Sequence, residues 1–147
     1  MRKFAVVTDS ASDINQEAAR RLDIRIVPLH IVAGGRDYRD GMDIQIDEYL
    51  DLLEQQQELP QPSQPAPADF VEVYRALIEE GYTEILSIHI ARELSSTIET
   101  PRYLAQEVFK DVRIEVIDSY AATVGEGAMV LEAAAIAEAG GTMDEAI

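Results

Sequence analysis

Short runs of apolar residues alternate with longer amphipathic segments along the whole chain. The runs are rich in β-branched residues and have the length and flanking residues of buried strands. They are Phe4–Val7, Arg25–Val32, Glu84–Ile90 and Val112–Ile117. This alternation predicts an α/β fold over residues 1–147, a three-layer α/β/α domain with a mainly parallel sheet of about four or five strands.

The segments between these runs have the composition or the spacing of amphipathic helices. They are Ile14–Leu22, Glu48–Glu54, Phe70–Ile78 and Ala128–Ala139. Asp47 is a good N-cap for the second helix, which fades into the residues 55–57. Thr142 and Glu145 have the spacing of a capping box, so a further helix is predicted to begin there.

Prolines and glycines interrupt this pattern at three places. Pro28 lies inside the second apolar run and predicts an edge or irregular strand. Gly34 and Gly35 predict a turn, after which Asp37–Asp40 returns as a short hairpin arm. The prolines of the segment 59–67 exclude a helix or a central strand. We therefore expect a stiff, extended loop within the domain that holds Ser63 in a fixed place.

Polar residues follow three of the predicted strands. They are Thr8, Asp9 and Ser10 after the first strand, Ser95, Ser96 and Thr97 after the third, and Asp118 and Ser119 after the fourth. The carboxyl ends of parallel strands share one edge of the sheet, where α/β proteins bind ligands. Hydroxyl groups beside the free N–H groups of a helix start can hold a carboxylate or phosphate without a charged side chain. Each group taken singly is also explained as an ordinary cap or turn.

The composition argues against several classes of binding partner and of chemistry. With 28 acidic and 12 basic residues, the net charge of -16 argues against binding to nucleic acid or to anionic membranes. The absence of cysteine removes disulfides, thiol nucleophiles and thiolate metal sites, and it is compatible with the cytoplasmic location that we predict. The apolar run near the N-terminus is too short for an export signal or a membrane span, so no integral membrane association is expected.

Other chemistries lack their sequence signatures. No G-x-G-x-x-G segment follows a strand and no Walker A sequence is present. His30 and His89 lie within apolar runs and are predicted to be strand histidines with local hydrogen bonds. Ser95, His89 and Asp118 could compose a hydrolytic triad, but no nucleophile elbow surrounds the serine. The acidic series Asp37, Asp40, Asp43 and Asp47 lacks the EF-hand order and is interpreted as a solvated loop. We predict no catalytic residue, metal or cofactor.

Four segments with distinctive residues follow one another over essentially the whole chain. They are Val7-Thr8-Asp9-Ser10 with Asp13, Ser63-Gln64-Pro65-x-Pro67-x-x-Phe70, Leu94-Ser95-x-Thr97, and Ile117-Asp118-Ser119 followed by Gly125-x-Gly127. As an ordered set they resemble the DegV family of bacterial fatty-acid-binding proteins.

This resemblance implies a two-domain protein in which a long-chain fatty acid lies buried. Hydroxyl groups of the N-terminal domain would bind its carboxylate, and the resemblance places this role on Ser63 and Ser95, with Ser96 and Thr97 as candidates beside them. The carrier itself would do no chemistry. It would present the acid to a separate fatty-acid kinase subunit, which forms an acyl phosphate.

The chain also departs from the family pattern. Pro62 stands where a threonine or another polar residue is usual, and Ser96 replaces a glycine. The family's C-terminal half is absent, so we expect an N-terminal domain with an exposed apolar face. The helix after the third strand would begin near Ser96 in the family pattern, whereas Thr100 and Pro101 have the pattern of an N-cap and a first helical residue.

Two alternatives to lipid binding remain open. A phosphotransferase or a small hydrolase could use the same edge of the sheet. Asp9 and Asp118 would repel a phosphate there unless Mg²⁺ were present. The chain could also be a folding unit without affinity for a ligand.

Overall fold

Parallel strands form the centre of the domain in a computed structural model, which describes residues 2–55 and 59–147. The strands of these residues are β1 (Ala5–Asp9), β2 (Ile24–Val27), β3 (His30–Ala33), β4 (Arg36–Arg39), β5 (Gln61–Ser63), β6 (Glu84–His89) and β7 (Arg113–Asp118). Four of them form a parallel sheet in the order β2-β1-β6-β7. The predicted mainly parallel sheet is confirmed.

Helices connect and cover these strands. They are α1 (Gln16–Arg21), α2 (Ile46–Gln55), α3 (Pro67–Glu79), α4 (Glu99–Glu107), α5 (Thr123–Glu138) and α6 (Met143–Ala146), with single 3-10 turns at Ser10–Ser12 and Ser96–Ile98. Gln56 and Gln57, where α2 was predicted to fade, lie outside the described residues. The predicted capping box is confirmed, since Thr142 and Glu145 exchange hydrogen bonds between side chain and backbone at the start of α6.

Both faces of the parallel sheet are buried because successive side chains of a strand point to opposite sides. On one side, Val6 packs in a core with residues of α1, α5 and α6. On the other side, Ala5 and Val7 pack in a second core with residues of α3 and α4. This confirms the three-layer α/β/α arrangement.

The hairpin predicted at Gly34 and Gly35 is confirmed by the antiparallel pair of β3 and β4, but the three-stranded sheet of order β4-β3-β5 that contains it was not predicted. The second apolar run, expected to be one strand, is divided after Pro28 into β2 of the parallel sheet and β3 of the small sheet. The proline-rich segment is extended as predicted, but it contains the strand β5 and is not only a loop. An edge strand tolerates Pro62 because only one side of it is bonded to a neighbouring strand.

The helix α4 begins before the position predicted from Thr100 and Pro101. A 3-10 turn at Ser96–Ile98, capped by Ser95, leads directly into a helix that starts at Glu99. Pro101 is therefore the third helical residue, where its missing N–H removes no intrahelical hydrogen bond. The start near Ser96 that the family pattern implied agrees better with the structure.

The helix α5 also begins earlier than predicted. The predicted start was too late because Gly125 and Gly127 in the first turns are weak helix formers. Gly127 has a packing role there. A Cβ atom at this position would lie 2.5 Å from the carbonyl oxygen of Ser12. The missing side chain thus lets α5 approach the backbone that follows β1.

Candidate functional site

A chain of hydrogen-bonded polar side chains is buried at the carboxyl ends of β1 and β6. The Oδ2 atom of Asp9 lies 3.0 Å from His89 Nδ1 and accepts a hydrogen bond from the backbone N–H of Ile90 at 3.0 Å. His89 Nε2 lies 2.7 Å from Ser87 Oγ, which lies 2.8 Å from the hydroxyl of Tyr74. These four side chains are fully buried. The prediction of a hydrogen-bonded strand histidine is confirmed for His89.

The same contacts argue against the hydrolytic triad. Both ring nitrogens of His89 are occupied by Asp9 and Ser87, so the ring is not oriented to activate Ser95. The second carboxylate oxygen of Asp9 accepts a hydrogen bond from the N–H of Ala11 at 3.0 Å. Asp9 therefore holds the backbone that follows β1 and the backbone that follows β6. Because its side chain is buried, Asp9 does not contact a ligand in solvent.

A buried acid, Glu126, completes this cluster from the first turn of α5 and was not singled out from the sequence. Thr8 Oγ1 donates a hydrogen bond to Glu126 Oε1 at 3.2 Å, and both side chains are fully buried. Burial and the nearby Asp9 carboxylate raise the pKa of Glu126 to about 9, so it is a neutral acid at pH 7. Its Oε2 atom has no hydrogen-bond partner among the described residues.

The remaining residues predicted at this edge hold turns in place. Ser10 Oγ accepts a hydrogen bond from the N–H of Leu29 at 3.0 Å. Asp118 Oδ1 accepts one from the N–H of Tyr120 at 2.9 Å, and Ser119 Oγ donates one to the carbonyl of Ala121 at 3.1 Å. Ser10 and Asp118 are half-buried and Ser119 is buried. Contact between a ligand and these side chains stays a prediction.

The three hydroxyl residues after β6 differ in accessibility. Ser95 is half-buried, Ser96 is exposed and Thr97 is fully buried. Ser95 Oγ lies 2.8 Å from Thr97 Oγ1 and accepts a hydrogen bond from the N–H of Thr97 at 3.2 Å. Ser95 and Ser96 can thus reach a ligand, whereas Thr97 supports the conformation of the turn.

Ser63 lines a polar cleft beside the small sheet. The cleft has a volume of about 370 Å³ and is lined by His30, Val32, Asp37, the segment from Ser63 to Pro67, and Thr100. Ser63 is exposed and lies opposite His30 in the pairing of β5 with β3. The hydroxyl that joins Ser63 in the cleft belongs to Thr100 of α4 and not to Ser95. The sequence pattern predicts Thr100 only as a helix cap.

A larger groove of about 730 Å³ runs along the carboxyl edge of the parallel sheet. Its lining includes a residue that follows each of the four strands: Ser10 after β1, Leu29 after β2, Ile90 after β6 and Ala122 after β7. Isoleucines dominate its apolar wall, namely Ile14, Ile26, Ile31, Ile44, Ile46 and Ile90. Such a wall suits an apolar chain better than a polar substrate.

His30 is held between two carboxylates. Its Nδ1 atom lies 2.8 Å from Asp37 Oδ2, and its Nε2 atom lies 2.8 Å from Asp69 Oδ2. Burial alone would lower the pKa of His30, but the hydrogen bonds to Asp37 and Asp69 outweigh it and raise the pKa above its ordinary value of 6.5. Both ring nitrogens face carboxylate oxygens, an arrangement that favours the protonated, positively charged ring.

Two residues of the acidic series, Asp37 and Asp43, are engaged with basic partners. Asp43 receives hydrogen bonds from the Nε and backbone N–H groups of Arg39, both at 2.9 Å, which lower the pKa of Asp43 to about 2. Asp37 bonds to His30. The described ranges contain no cluster of three His, Cys, Asp or Glu residues that could hold a metal ion. They also contain no helix that is long and apolar enough to cross a bilayer.

Fold and site together define an α/β domain with an apolar groove at its strand ends and a hydroxyl-bearing cleft next to it. A family model described as an uncharacterised protein of the DegV family matches residues 3–147. The chain belongs to the DegV family. This confirms the family that the ordered sequence motifs indicated.

Individual relatives support this assignment. A DegV domain-containing protein of Clostridium perfringens is 36% identical over 145 residues, which are 99% of this chain and 51% of the relative. A fatty-acid-binding DegV protein from Thermus thermophilus has a TM-score of 0.87 and 38% identity, and the match covers 99% of this chain and 51% of that structure. A stearic-acid-binding protein from Eubacterium ventriosum has a TM-score of 0.85 and 30% identity over 99% and 50% of the two chains. The chain spans about half the length of the relatives it matches.

Proposed function

We propose that this domain binds a long-chain fatty acid, with the acyl chain in the apolar groove and the carboxylate near the hydroxyl-bearing cleft. The observation that carries the proposal is the juxtaposition of these two cavities, which share His30 in their walls. An apolar channel that ends at a few convergent polar groups is the arrangement that an amphipathic acid requires. The fatty-acid binding described for the relatives from Thermus and Eubacterium agrees with this chemistry.

The serine hydroxyls would bind the carboxylate. Ser63 lies exposed in the cleft, and Ser95 is half-buried at the start of the turn before α4. A hydroxyl can donate one hydrogen bond to a carboxylate oxygen, and such charge-assisted bonds are stronger than neutral ones. Ser96 is accessible as a further donor, whereas Thr97 would act by holding Ser95 in place.

The resemblance and the buried polar cluster support a carrier function. Because His89 bonds to Asp9 and Ser87, and Asp9 also accepts hydrogen bonds from the backbone, neither side chain is presented to a substrate. The domain would hold the acid and present it to a separate fatty-acid kinase in the cytoplasm, where the kinase forms the acyl phosphate. A second domain would cover the rest of the acyl chain, as the two-domain family pattern implies.

Lipid analysis of the full-length protein purified from its cells tests the binding. Mass spectrometry of the extract is expected to detect long-chain fatty acid in stoichiometric amount. A Ser63→Ala/Ser95→Ala double variant is expected to retain much less of it. Thr83→Ala removes an exposed hydroxyl just before β6, at the opposite edge of the sheet, and serves as the matched control. Protein without fatty acid, or equal retention by the double variant, would refute the serine-held site.

Presentation to a kinase is tested by a second assay. The acid-loaded protein is mixed with ATP and the kinase subunit, and acyl phosphate is trapped with hydroxylamine as an acyl hydroxamate. Hydroxamate is expected only when protein and kinase are both present. Equal formation from the free acid without this protein would contradict the presenting role.

A further inference from the structure

His30 lies at the boundary between the polar cleft and the apolar groove. Among the described residues it is the one residue that belongs to the linings of both the polar cleft and the apolar groove. It is also the one basic residue in either lining, in which the acidic residues are Asp13, Asp37 and Asp40. A carboxylate at the end of an acyl chain in the groove would reach the cleft at this point. Among the residues of the two linings, His30 is therefore the cation available to it.

The two carboxylates that hold His30 are not equivalent. Asp69 has a side chain that is 16% exposed, and its Oδ2 atom also accepts a hydrogen bond from the N–H of Ala66 at 3.0 Å. Asp37 has a side chain that is 57% exposed and lies on β4, which is an edge strand of the small sheet. Asp69 thus anchors Nε2 of the ring, whereas Asp37 can leave Nδ1 for solvent.

We propose that His30 binds the carboxylate of the fatty acid through Nδ1, and that the ligand displaces Asp37 from this nitrogen. The inference rests on the proposed fatty-acid binding and adds a cationic contact to the serine hydroxyls. In the free domain Asp37 is a carboxylate already bonded at the head-group position, so it acts as an internal competitor. Displacement exchanges one carboxylate for another on the same donor, and the ring keeps its charge and its bond to Asp69.

The charged surroundings of His30 set the pH dependence. The groups that face it are Asp37 and Arg39 of β4 and Asp69 of α3, while β5 contributes the neutral Ser63. The guanidinium of Arg39 is engaged by Asp43. The two facing carboxylates raise the pKa of His30 above 6.5, so the ring is charged at and below that pH. Affinity for a carboxylate is expected to fall as pH rises through the raised pKa.

Binding of palmitate and of uncharged palmityl alcohol to the full-length protein tests the proposal. At pH about 6, His30→Gln should weaken palmitate binding roughly tenfold, because Gln can still hydrogen bond but carries no charge. Asp37→Asn should strengthen it roughly three- to tenfold, since the competitor is lost. Neither variant should change the affinity for palmityl alcohol. Asp51→Asn, which removes an exposed carboxylate of α2 outside both linings, should behave as the wild type.

The outcomes separate this inference from the proposed function. Wild-type affinity and wild-type pH dependence in His30→Gln would overturn the His30 contact, while a weakened Ser63→Ala/Ser95→Ala variant would leave the proposed function standing. A wild-type protein that binds neither palmitate nor its alcohol would overturn both. If His30→Gln lowers the melting temperature, the proposal is judged from the Asp37→Asn variant alone. An unchanged or weakened affinity of Asp37→Asn for palmitate would refute the competition between Asp37 and the ligand for His30.

Discussion

The hydroxyl of Thr8 at the end of β1 donates a hydrogen bond to the carboxyl group of Glu126 in α5, 3.2 Å away and out of contact with solvent. This bond joins the central strand to the helix that Gly127 allows to approach it. Only one of the two carboxyl oxygens of Glu126 is hydrogen-bonded, because the second has no partner within the described part of the chain. A buried polar atom without a hydrogen bond lowers stability.

We predict that Glu126→Gln stabilises the domain at and above neutral pH. The folded chain holds the proton of Glu126 up to pH about 9, whereas an ordinary Glu loses it near 4.5. The folded state therefore binds more protons, and its stability falls as pH rises between these values. Glutamine mimics the protonated acid, keeps the oxygen that accepts from Thr8 and adds an N–H donor towards Asp9. We expect a gain of about 1–3 kcal/mol at pH 8, measured by denaturant unfolding.

The matched control is Glu132→Gln, which alters an exposed acid of the same helix. It is expected to leave the unfolding free energy and its pH dependence nearly unchanged. A Glu126→Gln variant that loses stability between pH 5 and pH 9 as the wild type does would contradict the assignment of this pH dependence to Glu126.

The buried pair of Asp9 and His89 gives a second prediction. Removing either side chain leaves the other buried with a lost partner, so Asp9→Ala and His89→Ala should each lower the unfolding free energy by about 3–5 kcal/mol. The double variant should lose clearly less than the sum, because the second change removes a group that is already unpaired. Strict additivity in this double-mutant cycle, followed by chemical unfolding, would show that the pair is not energetically coupled.

The sequence could predict the parallel sheet and its flanking helices because buried parallel strands are continuous apolar runs. The small sheet shows this signal only in β3, which lies in the second apolar run and whose hairpin with β4 the glycine turn predicts. Its strands are short and partly exposed, and β5 contains a proline. Ile31 pairs with Pro62, far along the chain, and no local periodicity marks such a contact. The groove could not be predicted for the same reason, because its wall combines residues that follow four strands far apart in the sequence.

The candidate site was accessible to sequence reasoning only in part. An ordered motif indicated Ser63 and Ser95, and His89 within an apolar run indicated a buried, hydrogen-bonded ring. Glu126 between two glycines gave no sign of burial, since the close approach of α5 is a tertiary property. The sequence predicts Thr100 as a cap, because Thr followed by Pro is a common helix start. The structure places it inside the helix and in the cleft.

The packing role of Gly127 can be tested by Gly127→Ala. Alanine favours a helix by up to about 1 kcal/mol over glycine, but the new Cβ would lie 2.5 Å from the backbone oxygen of Ser12. Backbone cannot yield as a flexible side chain can, so we expect a net loss of about 1–3 kcal/mol. Gly125→Ala is the comparison, since its nearest neighbour is the Ala121 Cβ at 3.1 Å. Equal melting temperatures for both variants would exclude the close approach as the reason for glycine.

Thr100 gives a prediction about ligand binding that the sequence motifs do not imply. Its side chain lines the cleft together with Ser63, and it is partly buried in the first turn of α4. Thr100→Val keeps the shape and removes the hydroxyl, so it should weaken palmitate binding to the full-length protein by about tenfold if that hydroxyl donates to the carboxylate. Thr83→Ala, at the other edge of the sheet, should bind as the wild type does. If Thr100→Val binds palmitate normally while Ser63→Ala does not, the head group contacts β5 without reaching α4, and the carboxylate then lies towards His30.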